Sequence, residues 1–63
     1  MQEPELTFEY YLDKANEWRW TLKTHGKTIG DSGEGYKNKS DCLAMIEKIR
    51  QHAKMAKVVE VKR

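Results

Sequence analysis

The sequence predicts a small α+β domain: a three-stranded antiparallel meander, one helix and a short C-terminal strand. Three observations carry this reading. Two early runs alternate apolar and polar residues with turn-forming residues between them. A later run places apolar residues at helical spacing, and a valine-rich stretch follows it.

The first alternating run starts at Leu6. Leu6, Phe8, Tyr10 and Leu12 share one face, while Thr7, Glu9 and Tyr11 share the other. Period two of this kind marks a half-buried strand. Asp13-Lys14-Ala15-Asn16 is polar turn material. From Glu17 to Thr24 the alternation resumes, with Trp18, Trp20 and Leu22 facing opposite to Arg19, Thr21 and Lys23. His25-Gly26 then stands where a two-residue hairpin turn belongs. Glycine takes positive φ freely there, and histidine does so at modest cost. Lys27 to Ser32 is a weaker third strand whose one large aliphatic is Ile29.

Gly33-Glu34-Gly35-Tyr36 forms a glycine-rich connection to the helix. Asn38 is the expected N-cap, with Asp41 three residues on and Ser40 as the competing cap. Cys42, Leu43, Ile46, Ile49 and Ala53 fall on one arc of a helical wheel, with Met45 and Ala56 at its margin. Glu47 and Arg50 are spaced to pair on the helix surface. The helix should fade between Lys54 and Ala56. Val58, Val59 and Val61 then form a short β-type run. The predicted core is Phe8, Tyr10, Trp18, Trp20, Leu22, Leu43, Ile46 and Ile49.

Composition narrows the function classes. With 63 residues, the chain reads as a single domain, residues 1–63, with 1–5 expected to fray. A chain this short buries only about 60% of the surface its unfolded form exposes. One cysteine excludes an intramolecular disulfide scaffold. Cys42 and the two separated histidines do not supply the ligand set of a structural zinc site. No run approaches the ~20 apolar residues of a membrane helix, and the amino terminus lacks the pattern of a signal peptide. The expected setting is the reducing cytoplasm, with no membrane partner and no cofactor.

Net charge is +2, from 12 basic and 10 acidic residues. Residues 1–35 carry 4 basic and 7 acidic side chains; residues 36–63 carry 8 basic and 3 acidic. The basic residues are interleaved with apolar ones, so the asymmetry reads as two halves, or two copies, packing together rather than as a nucleic-acid tail.

The stretch Gly33-Glu34-Gly35-Tyr36-Lys37-Asn38-Lys39-Ser40 matches a phosphate-loop pattern except that Asn38 replaces the second glycine. Nucleotide hydrolysis of that type needs a parallel sheet and a much longer chain. A simple anion site at the helix start, using Lys37 and Lys39, is the milder alternative. Cys42 lies on the apolar arc and reads as a small hydrophobe rather than a reactive thiol. His25 and His52 have no orienting partner in sequence, and Glu9, Glu17 and Glu34 read as solvated carboxylates. No catalytic constellation emerges, so the chain reads as a non-enzyme. Aromatic residues on a sheet invite comparison with nucleic-acid binders. Trp18, Trp20, Phe8 and Tyr10 belong to the helix side, however, leaving Arg19 and Lys23 on the outer face with Tyr11. A weak nucleic-acid binder using Arg19, Lys23, Lys37 and Lys39 is therefore the rival reading.

The run Phe8-Glu9-Tyr10-Tyr11, the strand Glu17-Trp18-Arg19-Trp20-Thr21-Leu22-Lys23, the connection Ser32-Gly33-Glu34-Gly35-Tyr36, and Cys42 and Ile46 on a helix together resemble the YegP-like family. These are small bacterial and archaeal proteins of uncharacterised function, and the likeness spans roughly residues 6–50. The resemblance implies a β-β-β-α-β unit. It also implies that two units form one continuous sheet, with helices on one face, and exchange their last strands. A chain holding one unit would then be a homodimer. Two departures stand out: His25-Gly26 where the family usually has Asn-Gly, and Thr21 where it often has Arg. The second removes a cation from the outer face. The family supplies no catalytic residue.

A physical argument leads to the same assembly. A four-stranded sheet measures ~14 Å between its outer strand axes, and one helix is only ~10 Å wide. The apolar face would be left partly open and would seek a partner surface. Residues 58–61 need a sheet edge, and the short stretch 54–57 offers little chain for returning to their own. The expected molecule is a small non-enzymatic interaction module, a strand-swapped homodimer with Val58, Val59 and Val61 in the exchanged strand; other partners are not specified.

Overall fold

The computed structural model describes residues 5–62, so most of the segment expected to fray lies outside the described residues. Strand β1 (Leu6–Leu12), β2 (Trp18–Thr24) and β3 (Lys27–Asp31) form one antiparallel sheet in the order β1-β2-β3. Helix α1 (Lys39–His52) follows and ends in a 3-10 turn, Ala53–Met55. The expected meander and helix are present, and the bounds differ by a residue or so at the strand ends. Among the described residues no helix is long and apolar enough to cross a membrane.

The β1–β2 ladder runs without interruption from Leu6↔Thr24 to Leu12↔Trp18. Asp13 holds its turn. Its backbone N–H donates to the Glu17 carbonyl (2.9 Å), and its own carbonyl accepts from the Asn16 N–H (3.0 Å). Its Oδ1 accepts from the N–H groups of Ala15 (2.8 Å) and Glu17 (3.0 Å), and Oδ2 accepts from Arg19 Nε (2.6 Å). Asn16 closes the turn at φ 62°, a left-handed conformation that asparagine tolerates better than most residues. The second hairpin is the expected two-residue turn. His25 (φ 50°) and Gly26 (φ 78°) are both left-handed, and Thr24 pairs with Lys27 across them. Two successive positive φ values twist the hairpin in the sense its strands require.

The β2–β3 register shifts by one residue between Leu22 and Lys23, because Leu22 pairs with Gly30 while Lys23 pairs with Thr28. Ile29 is the extra residue of a bulge and stays exposed. A bulge frees one residue from the ladder, so the third strand's large aliphatic does not join the core.

The two layers meet at Trp20. Trp20, Cys42 and Ile46 are buried, with Phe8, Trp18, Leu22, Tyr36 and Ile49 half-buried around them. Phe8 meets Trp20 edge-to-face with ring centroids 5.3 Å apart, a favoured aromatic geometry. Two expected core residues do not join this cluster in the single chain: Tyr10 is 43% exposed and Leu43 37%. The helix packs chiefly on β2, which leaves Tyr10, on the edge strand, uncovered. Leu43 follows Cys42 by one residue, so it points about 100° around the helix from the buried thiol. Met45, expected at the margin, is half-buried instead.

Asn38 is the N-cap, with extended backbone (φ −108°, ψ 134°). Its carbonyl accepts from the Asp41 N–H (3.1 Å) and the Cys42 N–H (3.3 Å). The side chain works opposite to a capping box: Nδ2 donates to Asp41 Oδ2 (3.2 Å), and no side-chain oxygen caps a backbone N–H. Glu47 and Arg50 pair as expected (2.9 Å). Residues 57–62 form no strand in the single chain, because no sheet edge lies against them.

Two outcomes follow from this packing. Trp20→Ala should cost ~3–5 kcal/mol, the range for truncating a large core aromatic. That is a large share of a small domain's stability. A thermal melt near the unsubstituted midpoint would show that Trp20 does not join the layers. The Asp13 carboxyl is held below its ordinary 3.8, first by the Glu17 N–H and then by Arg19. A depressed acid contributes stability above its unfolded value and loses it as pH falls through the folded one. Acid titration from pH 5 downward should therefore destabilise the native chain more than Asp13→Asn, and parallel acid profiles would refute the role given to this turn.

Candidate functional site

The sheet has two chemically different faces. On the outer face the cations are already partnered. Arg19 pairs with Asp13 (2.6 Å) and reaches Glu17 at 4.0 Å, and Lys23 pairs with Glu9 (3.1 Å). Cross-strand register explains both strand-borne groups: Lys23 lies diagonal to Glu9, and Arg19 stands opposite Tyr11, next to the Asp13 turn. The guanidinium is raised above its ordinary value, chiefly by its hydrogen bond to Asp13.

Lys39 is on the other face. Its ammonium sits 5.6 Å from the Tyr10 ring centroid and 5.5 Å from that of Trp18, within cation–π range of both. It fastens the first residue of the helix to the open end of the sheet. Lys37 is exposed in the connection. The four cations of the nucleic-acid reading therefore do not form one surface. Arg19 and Lys23 share the outer face with their carboxylates, and Lys39 points to the helix side.

The segment 33–40 is tied to β2 at its start. Tyr36 pairs with Trp18 as an isolated bridge: the Trp18 N–H donates to the Tyr36 carbonyl (2.7 Å) and the Tyr36 N–H donates to the Trp18 carbonyl (2.8 Å). The Ser32 N–H donates to the Trp20 carbonyl (3.0 Å), so this connection extends the β2 ladder past β3. The Asp41 carboxylate in the first turn of α1 also meets part of the positive charge that an anion would need. Gly35 passes directly over Glu17: a Cβ there would stand 2.6 Å from the Glu17 Cβ.

Cys42 is fully buried, and burial pushes its thiol up from the ordinary value. A raised, enclosed thiol is a poor nucleophile. Burial, followed by the Glu34 carboxylate, likewise raises the Tyr36 hydroxyl. The Trp20 indole N–H is buried without an acceptor in hydrogen-bonding geometry. Among the described residues, no three His, Cys, Asp or Glu side chains gather as a metal-binding group.

The helix side of the sheet also keeps an apolar opening. A groove of about 290 Å³ lies between β1 and the end of α1, lined by Leu6, Phe8, Leu22, Ile49, Arg50 and Ala53. Residues 56–62 leave the domain beside it. Ala56 is extended (ψ 140°), Val58 is 100% exposed, and Val59 and Val61 are 71% and 72% exposed. The alternation of the strands indicated an open face. The groove's place at the helix end was not readable, because it depends on α1 lying over β2 rather than across β1.

A family profile described as DUF1508, a domain of unknown function, matches residues 13–60. A UPF0339 protein of Treponema denticola is 44% identical over 86% of this chain and 93% of its own length. A UPF0339 protein of Stutzerimonas stutzeri, described as lying in the 5′ region of the ptx operon, is 45% identical over 47 residues. Those residues are 75% of this chain and 42% of that protein. The solution structure of a protein from Haloferax volcanii superposes with a TM-score of 0.82 at 35% identity, covering 94% of this chain and all of that one.

The crossing of Gly35 over Glu17 is open to test. Gly35→Ala should destabilise by ~1–3 kcal/mol, the usual cost of forcing atoms into a filled space. An unchanged urea midpoint would show that the Trp18–Tyr36 bridge does not hold the segment against β2.

Proposed function

The chain belongs to the DUF1508 family of unknown function, whose members carry the name UPF0339 and which is the YegP-like family, and we propose that it is a non-enzymatic interaction module acting as a strand-exchanged homodimer. The observation that carries this reading is the unpaired valine run, residues 58–61, beside an apolar groove in the same chain. An extended apolar segment in water leaves its side chains and its backbone groups without partners. A second copy supplies both.

Two further observations support it. The radius of gyration is 13.5 Å, against about 10.6 Å for a compact chain of this length, so the single chain is not closed on itself. The Stutzerimonas stutzeri relative spans about 112 residues, since 47 are 42% of it, which is room for two such units in one chain. A one-unit chain obtains the second unit by pairing. The absence of catalysis is supported by Cys42, enclosed with a raised thiol, and by the engagement of Asp13, Glu9 and Glu47 in ion pairs. A cytoplasmic setting goes with the reading, because small secreted domains of this size usually carry disulfide pairs.

Sedimentation velocity tests the assembly. The full chain should sediment as a dimer at micromolar concentration and dissociate on dilution. A chain ended at Lys57 should be a monomer or unfolded. A full chain that stays monomeric would refute the dimer, and a truncated chain that stays a folded dimer would refute the exchange.

A further inference from the structure

The basic charge of the C-terminal half is not absorbed by the pairs on the sheet. Residues 47–57 carry Lys48, Arg50, Lys54 and Lys57 against Glu47 alone. All five are exposed, and among the described residues Lys48, Lys54 and Lys57 join no ion pair. The same stretch supplies one wall of the apolar groove, through Ile49, Arg50 and Ala53. A basic stretch therefore borders an apolar hollow. On the strand side Glu5 precedes Leu6, which leaves the helix side as the cationic wall.

Arg50 has room for a second carboxylate. Its Nη1 donates to Glu47 Oε1 (3.2 Å) and Oε2 (2.9 Å). Among the described residues Nε and Nη2 make no hydrogen bond. Those two nitrogens form a side of the guanidinium that can hold a carboxylate through two parallel bonds. The Glu47 pair is exposed at both ends, 61% and 51%, and an exposed i,i+3 pair holds its partner weakly. Little opposes the guanidinium turning its free side to a ligand. The remaining walls are aliphatic but for the Phe8 ring. At about 290 Å³ the hollow stands at the small end of ligand pockets, which run ~300–1,000 Å³ and join apolar walls to a few polar groups that fix orientation.

We propose that the groove binds a small alkyl carboxylate, with its chain against Leu6, Phe8, Leu22 and Ile49 and its acid group on Nε and Nη2 of Arg50. This goes beyond the dimer reading and does not rest on it, since every lining residue belongs to one copy. An uncharged or cationic amphiphile of the same length gains the same apolar burial but not the paired bonds, and the basic stretch repels the cation. Occupancy reaches the core. Phe8 and Leu22 are cross-strand partners, and Phe8 packs edge-to-face on Trp20. Filling the groove therefore changes the surroundings of the indole.

Octanoate, kept below the concentration at which it forms micelles, is the probe, titrated into the labelled full chain and followed by NMR. Signals of Leu6, Phe8, Leu22 and Ile49, the Arg50 Nε–H and the Trp20 indole should shift together. They should saturate with a Kd of about 1 mM or tighter, which about ten non-hydrogen atoms can supply. Each methylene added from hexanoate to octanoate should tighten binding roughly fourfold. Arg50→Gln, at an exposed position, should weaken octanoate at least about fivefold and leave octanol unchanged, because a charged hydrogen bond is lost. Ala53→Phe, also at an exposed position, should fill the groove and abolish the shifts. Shifts that do not saturate, or that persist in Ala53→Phe, would overturn the site. Octanol or octyltrimethylammonium binding as tightly as octanoate would overturn the place of the acid group on Arg50. Phosphatidylglycerol vesicles that bind the chain, with no saturable octanoate shift, would identify a membrane-facing surface and overturn the proposal.

Discussion

The contact between Trp20 and the Cys42–Ile46 face of the helix is the point on which the rest of the molecule depends. Trp20 is the one buried residue of the sheet. The helix settles over it and therefore over β2, the middle strand. Phe8 closes against the indole from β1, and Tyr36 holds the other side through its bridge to Trp18. Everything left open follows from that placement. A helix centred on the middle strand leaves the edge strand's apolar side chains only partly covered, with Tyr10 shared between Trp18 and the Lys39 ammonium.

The charged groups are arranged around this packing. Asp13 serves a turn and Arg19 at once, Lys23 answers Glu9 across the sheet, and Lys39 lies on aromatic rings. Each exposed pair contributes little to stability, since solvent screens it. Arg19, Lys23 and Lys39 thus each have a partner within the chain. The thiol at the centre is shielded by the same layers that bury Trp20.

Much of the local structure was legible because it is governed by neighbours in sequence. Alternation from Leu6 to Leu12 and from Trp18 to Thr24 assigns faces, and the polar turn residues assign the hairpins. His25-Gly26 makes the expected two-residue turn, with both residues in the left-handed backbone, glycine freely and histidine at modest cost. The candidate site was only half legible. The valine run was visible as a strand without an edge. Leu43, by contrast, read as core because wheel position does not tell which part of an apolar arc meets the sheet. Ile29 does lie in the third strand, but its place in a bulge could not be read, because a bulge leaves no mark in an alternation so short.

The sequence alone determined the three strands of the meander, their facing, the turns, the helix with Asn38 at its start, and family membership, because periodicity and turn chemistry act over a few residues and the motifs are local. The tertiary structure decided which cations are neutralised, that Gly35 passes over Glu17, and that Tyr10 stays exposed. It also decided that β1, not β3, presents an unbroken open edge. Each of these depends on the distance between residues far apart in the chain, set by where one helix comes to rest on Trp20, and no local pattern carries that distance.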